Sequence, residues 1–289
     1  MKIIMTNKEM TDISKEIQRS GKSLAFVPTM GYLHEGHATL FDKAKDYSEI
    51  TVASSFVNPT QFAPNEDYAQ YPRNMENDIA LAKQHKVDYL FVPDALEIYP
   101  IGFATSISLK NITERFEGKF RPSHFDGVAL VVAKLFNIVR PDFAVFGQKD
   151  YQQSLVIKQM VKDLNFDIKI IVSPTVRENN GLAMSSRNSY LTDSEKEDAA
   201  ILYKAMETAK TAILEGQRER KKINAIMHQT LRSIPSIKLD YASAALASDL
   251  TEPDLFYPND IIVLLLAVYL GKTRLIDNSL ITIPTNVSN

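Results

Sequence analysis

The sequence alternates short apolar runs with longer segments of helical spacing, and this alternation limits the possible folds most strongly. Runs 24–27, 89–92 and 143–146 have the length of buried strands, and the segments between them repeat apolar residues three and four positions apart. Such an order is typical of parallel βαβ units. It predicts an α/β fold with a Rossmann-like, doubly wound parallel sheet over residues 1–175.

The pattern changes after about residue 176. Segments 195–214 and 218–234 have helical spacing, whereas 238–247 and 260–276 are predicted to be extended, the last of them broken at Gly271 and Lys272. We therefore expect a second, smaller α+β domain over residues 176–289, which would act as a lid. The apolar run 261–270 is about half the length that spans a bilayer, so it is interpreted as a buried strand and no membrane partner is expected.

Charge and cysteine content exclude several classes of function. The 33 basic and 35 acidic residues nearly cancel, which argues against nucleic acid as a partner. The chain has no cysteine, so disulfides, thiolate metal ligands and a cysteine nucleophile are all excluded. A cysteine-free chain suits a reducing compartment, and we expect a cytoplasmic location.

Segment 26–37 has the features of an anion site. A predicted strand leads through a turn with Gly31 and Gly36, and His34 and His37 lie three positions apart. Glycine lets the backbone approach a ligand, and a helix start offers free N–H groups to a phosphate. Both imidazoles could then face one phosphate chain and stabilise or protonate a leaving pyrophosphate. Two ordinary polar histidines and a zinc site are the alternatives; the spacing is not that of HExxH, and no metal is predicted here.

A second polar segment contains Ser185, Ser186 and Arg187. Hydroxyls beside a guanidinium can clamp a phosphate. Alone, the segment is explained better by a surface loop with helix-capping serines. Combined with the histidine turn, it resembles the paired signatures of the nucleotidylyltransferase superfamily, whose members catalyse attack on the α-phosphate of a nucleotide.

Four motifs, in the same order and over nearly the whole chain, resemble the pantothenate synthetase family. They are Pro28-Thr29-Met30-Gly31 with Leu33-His34-Glu35-Gly36-His37, Phe56-Val57-Asn58-Pro59-Thr60-Gln61-Phe62, Phe146-Gly147-Gln148-Lys149-Asp150 with Gln153, and Met184-Ser185-Ser186-Arg187. A local departure is Tyr32, where the family commonly has a small residue such as alanine.

The resemblance implies an ATP-dependent ligase that condenses pantoate with β-alanine through a pantoyl adenylate, releasing AMP and pyrophosphate. It also implies Mg²⁺ accompanying ATP and a homodimer. Adenylation is chemically reasonable because a carboxylate is a poor electrophile until a leaving group is attached. A nucleotidylyltransferase that retains the nucleotide in its product is the alternative, and a non-catalytic nucleotide-binding regulator is a third class.

The resemblance also implies roles for individual residues. His37, His34 and Lys149 would be catalytic, with His37 as proton donor or transition-state stabiliser. Gln61 would bind pantoate and later β-alanine, and Gln153 would bind pantoate. The residues expected to contact ATP are Met30, Gly31, Tyr32, Leu33, His34, Glu35, Gly36, His37, Gly147, Gln148, Lys149, Asp150, Val176, Met184, Ser185, Ser186 and Arg187.

Residues 147–150 and a further loop can also be judged from their own residues. Residues 147–150 follow a predicted strand and open a helix, so they lie where open α/β sheets bind ligands. Helix capping with an exposed lysine is the alternative there. Arg121 and His124 belong to a further polar loop, for which the hypothesis is that it closes over the site.

Overall fold

The computed structural model describes residues 1–64 and 66–285. They form two compact units. The first comprises residues 1–64, 66–148 and 152–175, and the second comprises residues 149–151 and 176–285.

The first unit is built on a parallel sheet that contains six strands among the described residues. The strands are β1 Lys2–Ile4, β2 Leu24–Thr29, β3 Ile50–Ser55, β4 Tyr89–Phe91, β5 Phe143–Gly147 and β6 Lys169–Ser173. The helices are α1 Asn7–Arg19, α2 Glu35–Lys45, α3 Met75–Gln84, α4 Ala95–Ile98, α5 Phe116–Phe120, α6 His124–Val139 and α7 Tyr151–Asp163. This architecture confirms the predicted Rossmann-like sheet.

The strand order is β1-β4-β3-β2-β5-β6, so the chain changes direction across the sheet between β2 and β5. Ligands of open parallel sheets bind beyond the carboxyl ends of the strands at such a switch point. The turn that begins at Met30 follows β2, and Gln148 follows β5. The topology therefore brings two of the predicted motifs to the same edge of the sheet.

The core of the first unit is centred on β2 and α6. Residues 24–27 are at most 1% exposed, which explains why β2 is a continuous apolar run in the sequence. Phe136 of α6 meets Phe26, Phe146 and Phe166 edge-on, with ring centroids 5.8–6.5 Å apart. Each such buried ring contributes roughly 2–3 kcal/mol.

Sequence pattern did not predict β1 or α1. β1 has three residues, too few for a recognisable period. α1 buries Met10, Ser14 and Ile17 and packs Ile13 against the core, so a serine interrupts its short apolar stripe. Its start is nevertheless well specified, because Thr6 accepts a hydrogen bond from the Glu9 N–H.

The second unit packs helices against an antiparallel sheet of order β7-β8-β9, which has three strands among the described residues. Residues 262–268 are at most 4% exposed, so the interpretation of run 261–270 as a buried strand is confirmed. Gly271, with φ 57°, opens the tight turn to the next strand. The elements are α8 Asp193–Ala199, α9 Ile201–Leu214, α10 Arg220–Leu231, β7 Ile237–Leu246, β8 Ile261–Leu270 and β9 Thr273–Thr282.

The single helix expected over residues 195–214 is wrong, because two helices meet at Ala200. The Ala200 N–H donates to the Glu197 carbonyl, three residues back, and this closes α8. Alanine is a strong helix former, so no sequence signal marks the break. Across residues 1–64 and 66–285, no helix combines the length and apolar character needed to cross a membrane.

Candidate active site

The turn after β2 has a backbone that only glycine fits at Gly31. Gly31 has a φ of 79°, and a Cβ placed there would lie 2.8 Å from Asp78 Oδ2 and still closer to Ser55 Oγ. Tyr32 also has a positive φ, of 50°, which costs a non-glycine residue about 1 kcal/mol. The turn is therefore held in a specific shape, and Tyr32 accommodates it.

The carboxylate of Asp78, on α3, holds this turn by accepting hydrogen bonds from the backbone of the turn. Its two carboxylate oxygens accept hydrogen bonds from the Tyr32 N–H at 3.0 Å and the Leu33 N–H at 2.7 Å. The Ser55 hydroxyl donates to the same carboxylate at 3.2 Å. Burial raises the pKa of Asp78, and these three donors oppose the rise. Asp78 was not predicted from sequence, because its partners lie 23 to 46 residues away.

His34 and His37 are held together by the first turn of α2. His34 Nδ1 accepts the Gly36 N–H at 3.1 Å, and His37 Nδ1 accepts the His34 N–H at 3.3 Å. The two ring centroids are 4.1 Å apart. Since each Nδ1 accepts a hydrogen bond from a backbone N–H, each neutral ring carries its own proton on Nε2. The turn thus supplies two Nε2–H donors beside the positive end of a helix, an arrangement suited to phosphate oxygens.

The Gln61 amide is oriented by Asn58. Asn58 Nδ2 donates to the Gly127 carbonyl at 3.1 Å, and this acceptor-only partner fixes which way the Asn58 amide faces. The same nitrogen donates to Gln61 Oε1 at 3.1 Å. Gln61 Nε2 lies 3.1 Å from Met30 Sδ. Gln61 is therefore oriented with its donor group beside the turn after β2, which suits a carboxylate or hydroxyl oxygen.

Behind Gln61, a buried charged network supports the backbone of its turn. His124 Nδ1 donates to the Gln61 carbonyl at 2.9 Å, so its Nε2 accepts from Arg121 Nη1 at 3.2 Å. Arg121 also donates to both oxygens of Glu66 at 2.7 Å each. Burial raises the pKa of Glu66, but Arg121 outweighs that effect and leaves it below its ordinary value. The loop that was expected to close over the site is packed against Gln61 here.

The buried state of His124 should make the stability of the protein depend on pH. Burial, assisted by the charge of Arg121 and opposed by Glu117 and Glu66, lowers the pKa of His124 to about 4. An unfolded chain has a histidine pKa of about 6.5, so it binds more protons between these values and is favoured as the pH falls. From pH 6.5 to 4, we expect wild type to lose about 3 kcal/mol more unfolding free energy than His124→Gln.

Urea unfolding of both proteins at several pH values measures this difference, because the carboxylates that they share cancel in the comparison. Parallel pH profiles would contradict the assignment of a buried, neutral His124.

Lys149 and Asp150 are grouped with the second unit, although the boundary expected at residue 175 places them in the first. The Lys149 carbonyl accepts a hydrogen bond from Asn278 Nδ2 at 2.7 Å. The Tyr151 hydroxyl donates to the Ala247 carbonyl at 2.7 Å, and burial raises the pKa of Tyr151 to about 12. Lys149 Nζ lies 3.4 Å from Asp150 Oδ1. This short segment is thus tied to the sheet of the second unit.

The Ser185–Arg187 segment is also held by backbone hydrogen bonds within the second unit. The Met184 N–H donates to the Val176 carbonyl at 2.9 Å. Ser185 Oγ accepts the Arg187 N–H at 3.3 Å and caps a short 3-10 helix, so the capping role considered as an alternative does occur. A serine that caps a helix can also bind a phosphate, because its hydroxyl donates one hydrogen bond while it accepts another.

The predicted site residues therefore fall into two sets. The first unit brings together the turn from Met30 to His37 and Gln61, and it places Gln153, half-buried, in the first turn of α7. The second unit holds Lys149, Asp150, Val176 and the serine–arginine segment. Asp78 and Asn278 are additions, because only the folded chain brings them to these segments.

Comparison with known proteins gives one consistent result. The family model described as pantoate-beta-alanine ligase matches residues 2–280. The pantothenate synthetase of Caldicellulosiruptor bescii is 50% identical over 278 residues, covering 96% of this chain and 98% of that protein. The pantothenate synthetase of Thermodesulfovibrio yellowstonii is 46% identical over 281 residues, covering 97% and 100%.

Solved structures agree. The chain resembles the crystal structure of pantothenate synthetase from Thermus thermophilus, with a TM-score of 0.91, 39% identity and coverage of 98% of this chain and 100% of that one. It also resembles pantoate-beta-alanine ligase from Francisella tularensis, crystallised with beta-gamma ATP and beta-alanine, with a TM-score of 0.79, 38% identity and 97% coverage of each chain.

Proposed function

Because this chain belongs to the pantoate-beta-alanine ligase family, we propose how its own residues carry out the ATP-dependent ligation of pantoate to β-alanine. One structural observation supports the residue roles most directly. Two imidazole Nε2–H donors at the start of α2 and the oriented Gln61 amide belong to the same unit, with Met30 in contact with Gln61. This pairs a site for phosphate with a site for carboxylate. The alternative, an enzyme that retains the nucleotide in its product, is not favoured by relatives that are ligases.

In the first step, a carboxylate oxygen of pantoate attacks the α-phosphorus of ATP. A new O–P bond forms, the bond to the β-phosphate breaks, and pyrophosphate leaves with the electron pair. His37 and His34 stabilise the charge that develops on the leaving group by donating hydrogen bonds from Nε2. Gln61 and Gln153 hold pantoate by hydrogen bonds to its oxygens.

In the second step, the amine of β-alanine attacks the acyl carbon of pantoyl adenylate. The C–N bond of pantothenate forms, the C–O bond to AMP breaks, and the amine loses a proton. Adenylation is needed because AMP is a far better leaving group than oxide from a free carboxylate. After the first step Gln61 no longer binds the pantoate carboxylate, and it then binds β-alanine.

The nucleotide is held by charges and backbone groups from several segments. Lys149 supplies a point charge to the phosphates, and Arg187 supplies a bidentate guanidinium. Mg²⁺ enters with ATP as part of the substrate, and among the residues described there is no cluster of three His, Asp or Glu that could hold a separate ion. The complete proposed set is residues 30–37, residues 147–150, Val176, and Met184 to Arg187.

We also propose a lid role for residues 176–289, a homodimer and a cytoplasmic location. The assignment of residues 176–289 as a lid domain is supported by the presence of Lys149 and Arg187 in one unit. A homodimer is supported by the family resemblance alone. A cytoplasmic location is supported by the absence of cysteine.

A two-stage assay tests the proposed function. The protein is incubated with ATP, Mg²⁺ and pantoate while pyrophosphate is followed, and β-alanine is then added while AMP is followed. We expect pyrophosphate only with pantoate, and AMP in equal amount with pantothenate after β-alanine. Pyrophosphate release that ignores pantoate, or a final product that carries the adenylyl group, would contradict the proposal.

A further inference from the structure

The middle of β9 contains a buried polar pair that the mechanism above does not use. Asp277 and Asn278 are only 3% and 2% exposed, although β9 is an edge strand of its sheet. Buried charges and amides are costly unless their polar groups are paired. Both side chains are therefore expected to have specific partners.

Asp277 forms a two-pronged ion pair with Arg177. Arg177 Nη1 donates to Asp277 Oδ2 at 2.6 Å, and Nη2 donates to Oδ1 at 3.0 Å. The guanidinium carbon lies 4.4 Å from the ring centroid of Tyr203, which covers the pair on one face. Burial raises the pKa of Asp277, while the charges of Arg177 and Lys149 lower it.

The ion pair clamps the backbone of Asn278 on both sides. The Asn278 N–H donates to Asp277 Oδ1 at 2.7 Å, and the Asn278 carbonyl accepts from Arg177 Nη2 at 3.3 Å. With its backbone held in this way, Asn278 extends its amide to the Lys149 carbonyl, 2.7 Å away. This hydrogen bond joins β9 to the peptide group that follows the Lys149 Cα.

The same arginine connects to the serine–arginine segment. Arg177 pairs with Ala183 in a β-bridge, and its Nη1 donates to the Gly181 carbonyl at 3.0 Å. Gly181 has a φ of 95°, and a Cβ there would overlap the Tyr203 ring. The clamp on β9 is therefore continuous with the loop that leads to Ser185.

We propose that Asn278, held by the Asp277–Arg177 pair, is a positioning residue that sets Lys149 for reaction with the nucleotide. It does not touch substrate itself and acts through the Lys149 backbone. Because pantoate is held by Gln61 and Gln153 of the first unit, loss of Asn278 should lower kcat and leave the KM for pantoate unchanged. The inference rests on the proposed function, since it assigns Lys149 to the reaction.

A double-mutant cycle on the full chain tests the inference. We expect Asn278→Ala to reduce kcat for pantoate-dependent pyrophosphate release by about 10- to 30-fold in the wild-type background, the cost of one hydrogen bond to a positioned group. In the Lys149→Ala background, the same substitution should reduce the rate by less than about threefold, because nothing is left to position. Rates of the slow variants are measured in single turnovers with enzyme in excess.

Asn224→Ala is the matched control. The Asn224 amide donates to Ser243 Oγ at 2.8 Å and accepts the Ala244 N–H at 2.9 Å, so its removal costs comparable hydrogen bonds in the same unit. Asn224 belongs to none of the segments proposed for ATP, and the kcat of Asn224→Ala should stay within twofold of wild type. If Asn278→Ala does not fold, Asn278→Asp keeps the shape, turns an acceptor toward the Lys149 carbonyl, and should show the same dependence on Lys149.

The outcomes separate this inference from the proposed function. If the wild type releases pyrophosphate only with pantoate, two results would overturn the positioning role alone. One is an equal loss of kcat with and without Lys149, and the other is no loss of kcat in Asn278→Ala. A wild type without pantoate-dependent release would instead overturn the proposed function.

Discussion

Replacement of His37 by alanine is expected to slow pantoate-dependent pyrophosphate release by about 10²- to 10⁴-fold while the fold stays intact. In the proposed mechanism, His37 supplies an Nε2–H donor where charge develops on the leaving pyrophosphate. Lys149→Ala should cause a loss of similar size, because the proposal assigns the positive charge of Lys149 to the phosphates. Single-turnover pyrophosphate release and circular dichroism measure rate and fold in parallel.

His37→Asn separates the chemical role of His37 from its structural one. Its side-chain oxygen can accept the His34 N–H in place of Nδ1, which lies 3.3 Å from that nitrogen, so the cap of α2 is kept. The Nε2–H donor is lost all the same, and the rate should fall nearly as far as in His37→Ala. A near-normal rate in either variant would show that this histidine is misassigned.

Gly31→Ala is the second substitution from which we expect a large effect, with a rate loss of at least about 100-fold. The new Cβ would lie 2.8 Å from Asp78 Oδ2, at a φ of 79°, so the turn must move and carry Tyr32 and Leu33 with it. Displacement of that turn would move both histidines away from the positions proposed for the phosphates, and small misplacements of reacting groups are costly. Steady-state kinetics with ATP and pantoate measure the loss.

Gly21→Ala is the matched control for that substitution. Gly21 has a similar φ of 72°, yet a Cβ there would meet nothing within 4 Å. It therefore carries the cost of a left-handed backbone, about 1 kcal/mol, without the collision. Normal activity in Gly21→Ala beside a large loss in Gly31→Ala assigns the effect to crowding against Asp78 and Ser55. Equal activity of the two variants would contradict it.

Much of the fold could be predicted because burial leaves a local record in the sequence. Strands covered on both faces, such as β2 and β8, are continuous apolar runs, and the helices between the parallel strands keep their periodicity. The elements that were not predicted have no such apolar pattern in the sequence. β1 is three residues long and pairs with β4, almost ninety positions away, and the break between α8 and α9 falls at Ala200, a strong helix former.

The site was predictable to the extent that its parts are local. The His34–His37 pair forms one helix start, and its rings do meet, although His34 precedes α2 and caps it instead of lying within it. Asp78 and Asn278 act on backbone atoms 46 and 129 residues away. No spacing rule links such positions, so only the folded structure shows what supports the residues predicted from sequence.

Transfer of oxygen from pantoate to AMP is the direct consequence of attack by the pantoate carboxylate on the α-phosphorus. Pantoate labelled with ¹⁸O in its carboxylate is converted with ATP and β-alanine, and the products are examined by mass spectrometry. We expect one labelled oxygen in AMP and none in pyrophosphate, because the C–O bond to AMP breaks in the second step. Unlabelled AMP, or label in pyrophosphate or inorganic phosphate, would contradict it.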